Sequence, residues 1–536
     1  MKKYLRIGII AILAILVTIL NISCPKNRDK FGSLPPREHP KGIENSDFIY
    51  IDSNLFYLKG EPFFSIMLNY ILAYRTLDGK FVISPNIHYD LADTFETNTQ
   101  VSVNQQLRGH FQLIHEMGFN TLRLCFDRIA VENNRFFYQG DAQKYFVDSD
   151  YEQIFSALDT VVNIAKEKDL RIMLLIKSPL FGGGLDSFTV RLLQHFSDNS
   201  TIFAYDFFNE PLYFDTTERS KKEIYLQVKQ WREWMSQYAQ NQLFTVGFSE
   251  PIEVFKWDAK ILPVDFIAFH TYHPLRVKNE IYWYSTYCGK PWMIGETALP
   301  ADNDSILYSD QKAFLRDVFR YVKDCGGAGL GWWEFQETVH AHFEANYTGL
   351  LNHQGVTHTK DTQYTIFGTV KPVAEEIAAF ADYIPQPKTL PVNYYNMLGY
   401  NNLRVDGKIL DKETHQPIEG AVIRSWTETW IGQNTFANNK GEFTLYSNAK
   451  SVHFEISALG YETVKFDDSL NYKSLGDQKY DINNLPDSLL EYHSISYLPF
   501  LVATEPHSVF CFDAQKFQKA KFCAQMKTIY LRSLVK

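Results

Sequence analysis

Cysteine is scarce in this sequence: six residues in 536, and no Cys-x-x-Cys pair that would argue for zinc or dithiol chemistry. Excess positive charge is missing too. Lys and Arg total 53 against 62 Asp and Glu, so at a net charge of −9 the chain offers no field for holding phosphate backbones, and nothing favours a nucleic-acid partner. Beyond the N-terminal segment no apolar run is long enough to cross a bilayer, which excludes a multi-span membrane chain. No internal period is present, and collagen-like or disordered compositions are absent. What is there is apolar and aromatic side chains, 45% and 15% of residues, enough for a large globular core; the rings can stack on flat ligands as readily as fill that core, and core filling is the default reading. At about 150 residues per domain the length allows three or four domains, or fewer large ones.

The N-terminus reads as an export signal. Lys2, Lys3 and Arg6 precede an apolar run from Ile7 to Leu20, interrupted by Gly8 and Thr18 and short for a spanning helix. Cys24, directly after Asn21, Ile22 and Ser23, resembles the lipidation site of a bacterial lipobox, although Leu is usual where Asn21 stands. The expectation is an exported protein, lipid-anchored through Cys24 at the outer membrane or cell surface. Plain cleavage, an uncleaved anchor, or an incidental thiol at Cys24 are the alternatives. Residues 1–24 are thus the signal, and the Pro- and charge-rich residues 25–42 a tether. In an oxidising compartment Cys511 and Cys523 are the candidate local disulfide, while Cys125 sits in an apolar run and reads as a buried thiol.

Residues 43–384 alternate short apolar runs with longer helical ones. Eight strands are predicted, near Phe63–Asn69, Asn120–Phe126, Arg171–Lys177, Ile202–Phe208, Leu243–Phe248, Val264–His270, Trp292–Gly295 and Ala328–Trp333. Helices are expected over Gln105–Met117, Tyr151–Lys168, Thr217–Gln240 and Asp310–Lys323. Eight such units imply an α/β fold of the (β/α)8, or TIM, barrel type, with a short hairpin, FIYIDSNLFYLKG, closing its bottom. After a linker at 385–402 the texture changes to short alternating strands, a small all-β sandwich over 403–536 with an insertion in 467–525. Gly407, the Pro417–Ala421 run, Gly441 with Phe443, and Gly460-Tyr461 resemble the carboxypeptidase regulatory-like β-sandwich. With no planar aromatic cluster to place on one face, Trp426 and Trp430 being the counter-evidence, the domain reads as a spacer or assembly module.

In a (β/α)8 barrel the reacting groups stand at the C-terminal ends of strands. Strand four reads IFAYDFFNEP and ends in Asn209 and Glu210; strand seven reads PWMIGETALP and ends in Glu296. Barrel closure places those two carboxyls across one bowl, the constellation for retaining glycoside hydrolysis. Further polar residues stand at other strand ends: Arg123 in GFNTLRL, His270 and Tyr272 in FHTYHP, and Trp332 and Trp333 in GLGWWEFQE. Each has a blander reading, as an internal ion pair, a core histidine or a packing ring, and adjacent tryptophans on a strand face opposite ways.

Together these residues resemble glycoside hydrolase family 5, the cellulase- and mannanase-like retaining clan, over roughly residues 48–384. The resemblance implies Glu210 as acid/base, Glu296 as nucleophile, and Asn209 as a hydrogen-bond partner of the sugar 2-hydroxyl. It implies that Arg123 keeps the nucleophile ionised, that His270 and Tyr272 position the carboxylates, and that Trp333, rather than Trp332, is the sugar platform. It further implies a carbohydrate substrate of β-linked glucan or mannan type, with no metal and no cofactor. A noncatalytic glycan-binding lipoprotein on the same scaffold is the alternative. One departure stands out: the family's strand-three histidine is replaced by Ser178 in IMLLIKSPLFGGG, with Lys177 or His110 as compensating groups. The Gly182–Gly184 run lacks the Lys-Ser/Thr ending of a phosphate loop, and His340 with His342 has metal-like spacing but no accompanying cluster.

Overall fold

A computed structural model describes residues 31–32, 34–77, 80–85, 102–131, 135–138, 151–176, 186–215, 217–272, 274, 276–301, 306–337, 347–360, 364–388, 403–426, 433–447, 453–476 and 520–535. Cys24, Lys177, Ser178, the Gly182–Gly184 run, His340, His342 and Cys511 lie outside them, while Cys523 carries a free thiol. Among the described residues no helix is long and apolar enough to cross a membrane.

All eight expected barrel strands form: Ser65–Leu77, Thr121–Val131, Arg171–Leu175, Ile202–Asn209, Leu243–Phe248, Ile267–His270, Trp292–Glu296 and Gly329–Trp332. They are numbered one to eight below. Each pairs in parallel with the next, and strand eight returns to strand one through Gly329↔Ser65 to Trp332↔Leu68, so the sheet closes. Strand one is much longer than expected because its second half folds into an antiparallel hairpin with Lys80–Pro85. The helices follow the apolar periodicity and start where side chains can satisfy their first N–H groups. Ser102 with Gln105 and Ser220 with Glu223 form reciprocal caps at the starts of Val103–Glu116 and Lys221–Tyr238.

The bottom of the barrel is plugged as expected. The strands Ile49–Asp52, Leu55–Leu58 and Glu61–Phe63 form a small meander, and its Ile49 and Phe56 pack with Met67, Met173, Phe203, Leu243, Phe266 and Met293 inside the closed sheet. Phe56 meets Phe266 edge-on at 5.1 Å. Interior space at this end is therefore filled by side chains, and the open end of the barrel is the opposite one. Within the stretch read as a tether, Arg37 is buried against the barrel and pairs with Asp265 at 2.8 Å, so this part of the segment is docked rather than free.

The described residues between 403 and 531 form two sheets around their own core of Val405, Ile409, Ile423, Phe443, Leu445, Phe454 and Ile456. Leu403–Asp411 is the central strand of one sheet, and the final strand, Ile529–Leu531, lies parallel to it. The sandwich is not held apart by the linker. After strand five the barrel has no α-helix, only the short 3-10 turn Pro251–Phe255, and the sandwich packs there instead. Val422, Phe436 and Leu459 join the barrel's outer core. Buried polar contacts seal the joint: Lys221 Nζ donates to Asp258 Oδ2 (2.8 Å) and Ser457 Oγ (2.9 Å), and Trp283 Nε1 to the Gly420 carbonyl (2.7 Å). The residues after strand five carry no helical periodicity, because their covering surface comes from residues about two hundred positions away in the chain, as in the Lys221–Ser457 contact.

Candidate active site

At the open end Arg123 is fully buried and organises the floor of the bowl. Its Nε and Nη2 donate to Asp206 Oδ2 at 3.0 and 2.7 Å, its Nη1 to Asn69 Oδ1 at 3.0 Å, and its Nη2 to Asn209 Oδ1 at 2.7 Å. Nη1 also donates to Glu296 Oε1. A guanidinium presents its five donors in a rigid plane, so one side chain fixes groups from strands one, four and seven at once. Asn69 in turn donates to the Gly295 and Trp332 carbonyls, each at 3.0 Å, and Asp206 Oδ1 accepts from the Gly247 N–H at 2.8 Å.

Glu296 has both carboxylate oxygens held, Oε1 by Arg123 and Oε2 by the Tyr272 hydroxyl. Burial raises the Tyr272 phenol well above its ordinary range, and the charges of Glu296 and Glu210 add to this, so it stays a donor. His270 Nδ1 lies 2.8 Å from Glu210 Oε1 and 3.4 Å from Glu296 Oε1. Burial is the largest influence on this imidazole and lowers its pKa to about 4, against the opposing pull of Glu296. A neutral ring has one N–H, and it belongs on Nδ1, where Glu210 accepts it; Nε2 is buried without a partner. Glu210, with 17% of its side chain exposed against 6% for Glu296, is the carboxyl nearer the solvent side of the bowl.

One oxygen from each glutamate and one nitrogen of His270 all lie within 4.8 Å of one another. Such a triad could ligate a metal. Here, however, the oxygens of Glu296 already accept from Arg123 and Tyr272, and a buried guanidinium beside them disfavours a second cation. The donor set fits carboxylate chemistry better than metal binding.

The backbone makes room for this. Glu210 adopts φ 44° and ψ 70°, a left-handed conformation costly for a non-glycine residue. Gly247 is required by close approach: a Cβ there would stand 2.9 Å from Asp206 Oδ2 and 3.1 Å from His270 Nε2.

The two tryptophans part company. Trp332 is fully buried in the outer core, its Nε1 donating to the Thr348 carbonyl at 3.0 Å, so it does not face the bowl and the expectation of a sugar contact fails for it. Trp333 is half-buried and packs over Ile71, Cys125 and Leu175 of strands one, two and three. His110 is also not a compensating group for strand three: it is buried beneath strand one, 2.7 Å from the Tyr70 hydroxyl and against the Phe335 ring. Asn69 and Asp206 escaped the sequence reading. Their signal was a lone polar residue inside an apolar strand, as in SIMLNYIL and IFAYDFFN.

His110 and His270 give the fold a pH dependence. Burial lowers His110 to about 3 and His270 to about 4, whereas both return to about 6.5 on unfolding. Between those values the unfolded chain binds protons that the folded one does not, so stability falls as pH drops from 6.5 towards 4 and is regained above 6.5. At 1.36 kcal/mol per pKa unit the loss is on the order of 3 kcal/mol per histidine. Buried Glu253, its carboxyl pushed up to about 8, opposes this, because below pH 8 the folded chain holds a proton the unfolded one has lost. Melting temperatures across that range are therefore expected to fall by less than the two histidines alone would give. His110→Gln should flatten the dependence, and an unchanged slope in that variant would count against the assignment.

No protein-family model matches the chain, and no curated protein does. Solved structures similar to it include an exo-β-1,4-mannosidase from an Opitutaceae bacterium, strain TAV5, at 16% identity and a TM-score of 0.45, covering 62% of each chain. An endo-1,4-β-D-mannanase from Thermotoga petrophila is similar at 18% identity and a TM-score of 0.38, over 60% of this chain and 99% of that one. A Bacteroides uniformis β-glucuronidase is similar at 12% identity and a TM-score of 0.41, over 78% of this chain and 48% of that one. The match spans less than two thirds of the mannosidase and about half of the glucuronidase. The closed pairing of the eight strands, and not these likenesses, establishes the barrel.

Proposed function

We propose that the protein is an exported retaining glycoside hydrolase that cleaves β-linked poly- or oligosaccharides, of glucan or mannan type, by double displacement. The observation that carries this reading is the close pair of carboxyls, with oxygens of Glu210 and Glu296 within 4.8 Å and both oxygens of Glu296 held by donors. Retaining enzymes keep their carboxyls about 5–5.5 Å apart, whereas inverting ones leave about 6.5–9.5 Å for a water.

In the first step Glu296 attacks the anomeric carbon while Glu210, as the acid, protonates the glycosidic oxygen; the C–O bond breaks and a glycosyl ester forms. In the second, Glu210 as carboxylate takes a proton from water, whose oxygen attacks the same carbon and releases Glu296. Arg123 and Tyr272 keep Glu296 ionised and aimed. The His270 N–H on Glu210 Oε1 fixes the orientation of that carboxyl while its protonation alternates. Asn209, its carbonyl oxygen engaged by Arg123, turns its amide N–H groups towards the sugar 2-hydroxyl. Trp333 supplies the platform. We further propose membrane attachment through the lipobox-like Cys24, and membership of glycoside hydrolase family 5 for the barrel.

The full chain should be incubated with β-glucans, β-mannans and aryl β-glycosides and the first-formed anomer followed by proton NMR. Retention of the β configuration is the expected result. An initial α product, or binding with no cleavage of any substrate, would overturn the reading.

A further inference from the structure

Glu210 sits in a strained conformation and is followed by Pro211, so something must hold the turn in place. Part of the hold is local. The Glu210 N–H donates to the Gly247 carbonyl on strand five at 2.7 Å, and the Glu210 carbonyl accepts from the Tyr213 and Phe214 N–H groups at 2.9 and 3.1 Å. The rest comes from the 3-10 turn after strand five. Glu253 Oε1 accepts the Leu212 N–H at 2.8 Å, one of the first-turn donors that no carbonyl of its own segment can satisfy. The same oxygen accepts from Ser249 Oγ at 3.0 Å. At the entrance of the 3-10 turn, Glu250 Oε1 accepts the Tyr213 hydroxyl at 3.0 Å.

We propose that Glu253 is a positioning residue, one that holds Glu210 in register for proton transfer by tying the turn after strand four to the turn after strand five. The inference rests on the reading of Glu210 as acid/base.

Glu253 is buried, with Oε2 lacking any partner. Burial pushes its carboxyl up to about 8, the bonds from Leu212 and Ser249 oppose this, and the charge of Glu210 adds to it. Other titratable groups packed around it are Glu250 in its own turn and, from Val277–Tyr287, Glu280 and Tyr284, with Arg276 paired to Glu250 at 2.7 Å. Burial thus favours the neutral form of Glu253, which accepts two hydrogen bonds. The turn that carries it is gripped from behind by the sandwich: Thr463 Oγ1 donates to the Phe255 carbonyl at 2.8 Å, and the Arg424 guanidinium lies 5.3 Å from the Phe255 ring centre.

The test uses the full chain and paired aryl β-cellobiosides and β-mannobiosides, with 2,4-dinitrophenol as a leaving group that needs no proton and phenol as one that does. In Glu253→Leu, kcat/KM for the phenyl substrate is expected to fall ~10–100-fold, the scale of a misplaced catalytic group, with the dinitrophenyl substrate nearly unaffected. Glu253→Gln, which keeps the accepting oxygen and the neutral charge, should stay within about threefold of wild type on both, since only proton transfer by a misplaced acid is at stake. Should the Leu variant fail to fold, Glu253→Asp, which shortens the reach to Leu212, takes its place. Equal losses on both leaving groups, or a Gln variant as impaired as the Leu one, would overturn the proposal. Glu210→Ala is the control. If it shows no leaving-group dependence, or if wild type cleaves neither substrate, the acid/base reading falls and this inference with it; if it shows the dependence and the Glu253 variants do not, only this inference falls.

Discussion

Glu296→Ala is expected to lower kcat by ~10⁴-fold or more, because removing a nucleophile leaves only binding and the remaining charges to act. Azide, a small anion able to enter the space left by the carboxylate, should restore turnover and yield the α-glycosyl azide, inverted relative to the substrate. Glu210→Ala should behave differently: ~10²–10⁴-fold loss on poor leaving groups, the usual contribution of an acid/base, and a β-glycosyl azide on rescue. The two product configurations separate the roles, since azide attacks the sugar directly in one variant and the glycosyl ester in the other. Neither variant should unfold the protein. Removing Glu210, the more exposed of two carboxyls within 4.8 Å, relieves repulsion and should leave the melting temperature level or higher. Glu296→Ala instead takes one partner from the buried Arg123, which keeps Asp206, and should lower it modestly. Wild-type activity in Glu296→Ala, or the same azide anomer from both variants, would defeat the assignment.

Arg123→Met carries the second large effect, and it falls on stability as well as activity. The side chain is fully buried and so is Asp206, which receives two of its hydrogen bonds. Breaking such a pair leaves an uncompensated buried carboxylate, at a cost of about 3–5 kcal/mol. Glu296 and Asn209 lose a donor in the same stroke, so turnover should fall at least ~10²-fold, as for loss of a preorganised donor. The double variant Arg123→Met/Asp206→Asn distinguishes the two effects. Replacing both charges removes the Asp206 orphan and leaves only Glu296 without its cation, so denaturant melts should recover part of the lost stability while turnover stays low. A single variant within ~1 kcal/mol of wild type would show that the pair does not organise the bowl, because removing one partner of a buried pair costs several times that.

The barrel was legible because its strands are buried on both faces and so appear as short apolar runs between amphipathic helices. Glu210 and Glu296 were legible for a related reason: each stands where such a run ends, and in a closed parallel barrel that position is the rim of the open end. Strand six illustrates the limit. The apolar text begins at Val264, yet pairing starts at Ile267, where the partner strand seven begins at Trp292. The extra length of strand one was invisible because the hairpin partner Lys80–Pro85 lies in a mixed segment with no clear alternation.

What the sequence determined by itself is the alternation of apolar and polar text, and with it the barrel class, the two carboxyls and the residue types around them. Those features depend on local pattern, which the chain carries without reference to distant contacts. Only the tertiary structure decided that Trp332 is buried in the outer core while Trp333 packs over Ile71, Cys125 and Leu175, that His110 is committed to Tyr70, that Asn69 and Asp206 hold Arg123, and that the sandwich takes the place of a helix after strand five. Each of these is a relation between residues far apart in the chain. A buried polar group is defined by the partner that satisfies it, and that partner is known only when the chain has closed.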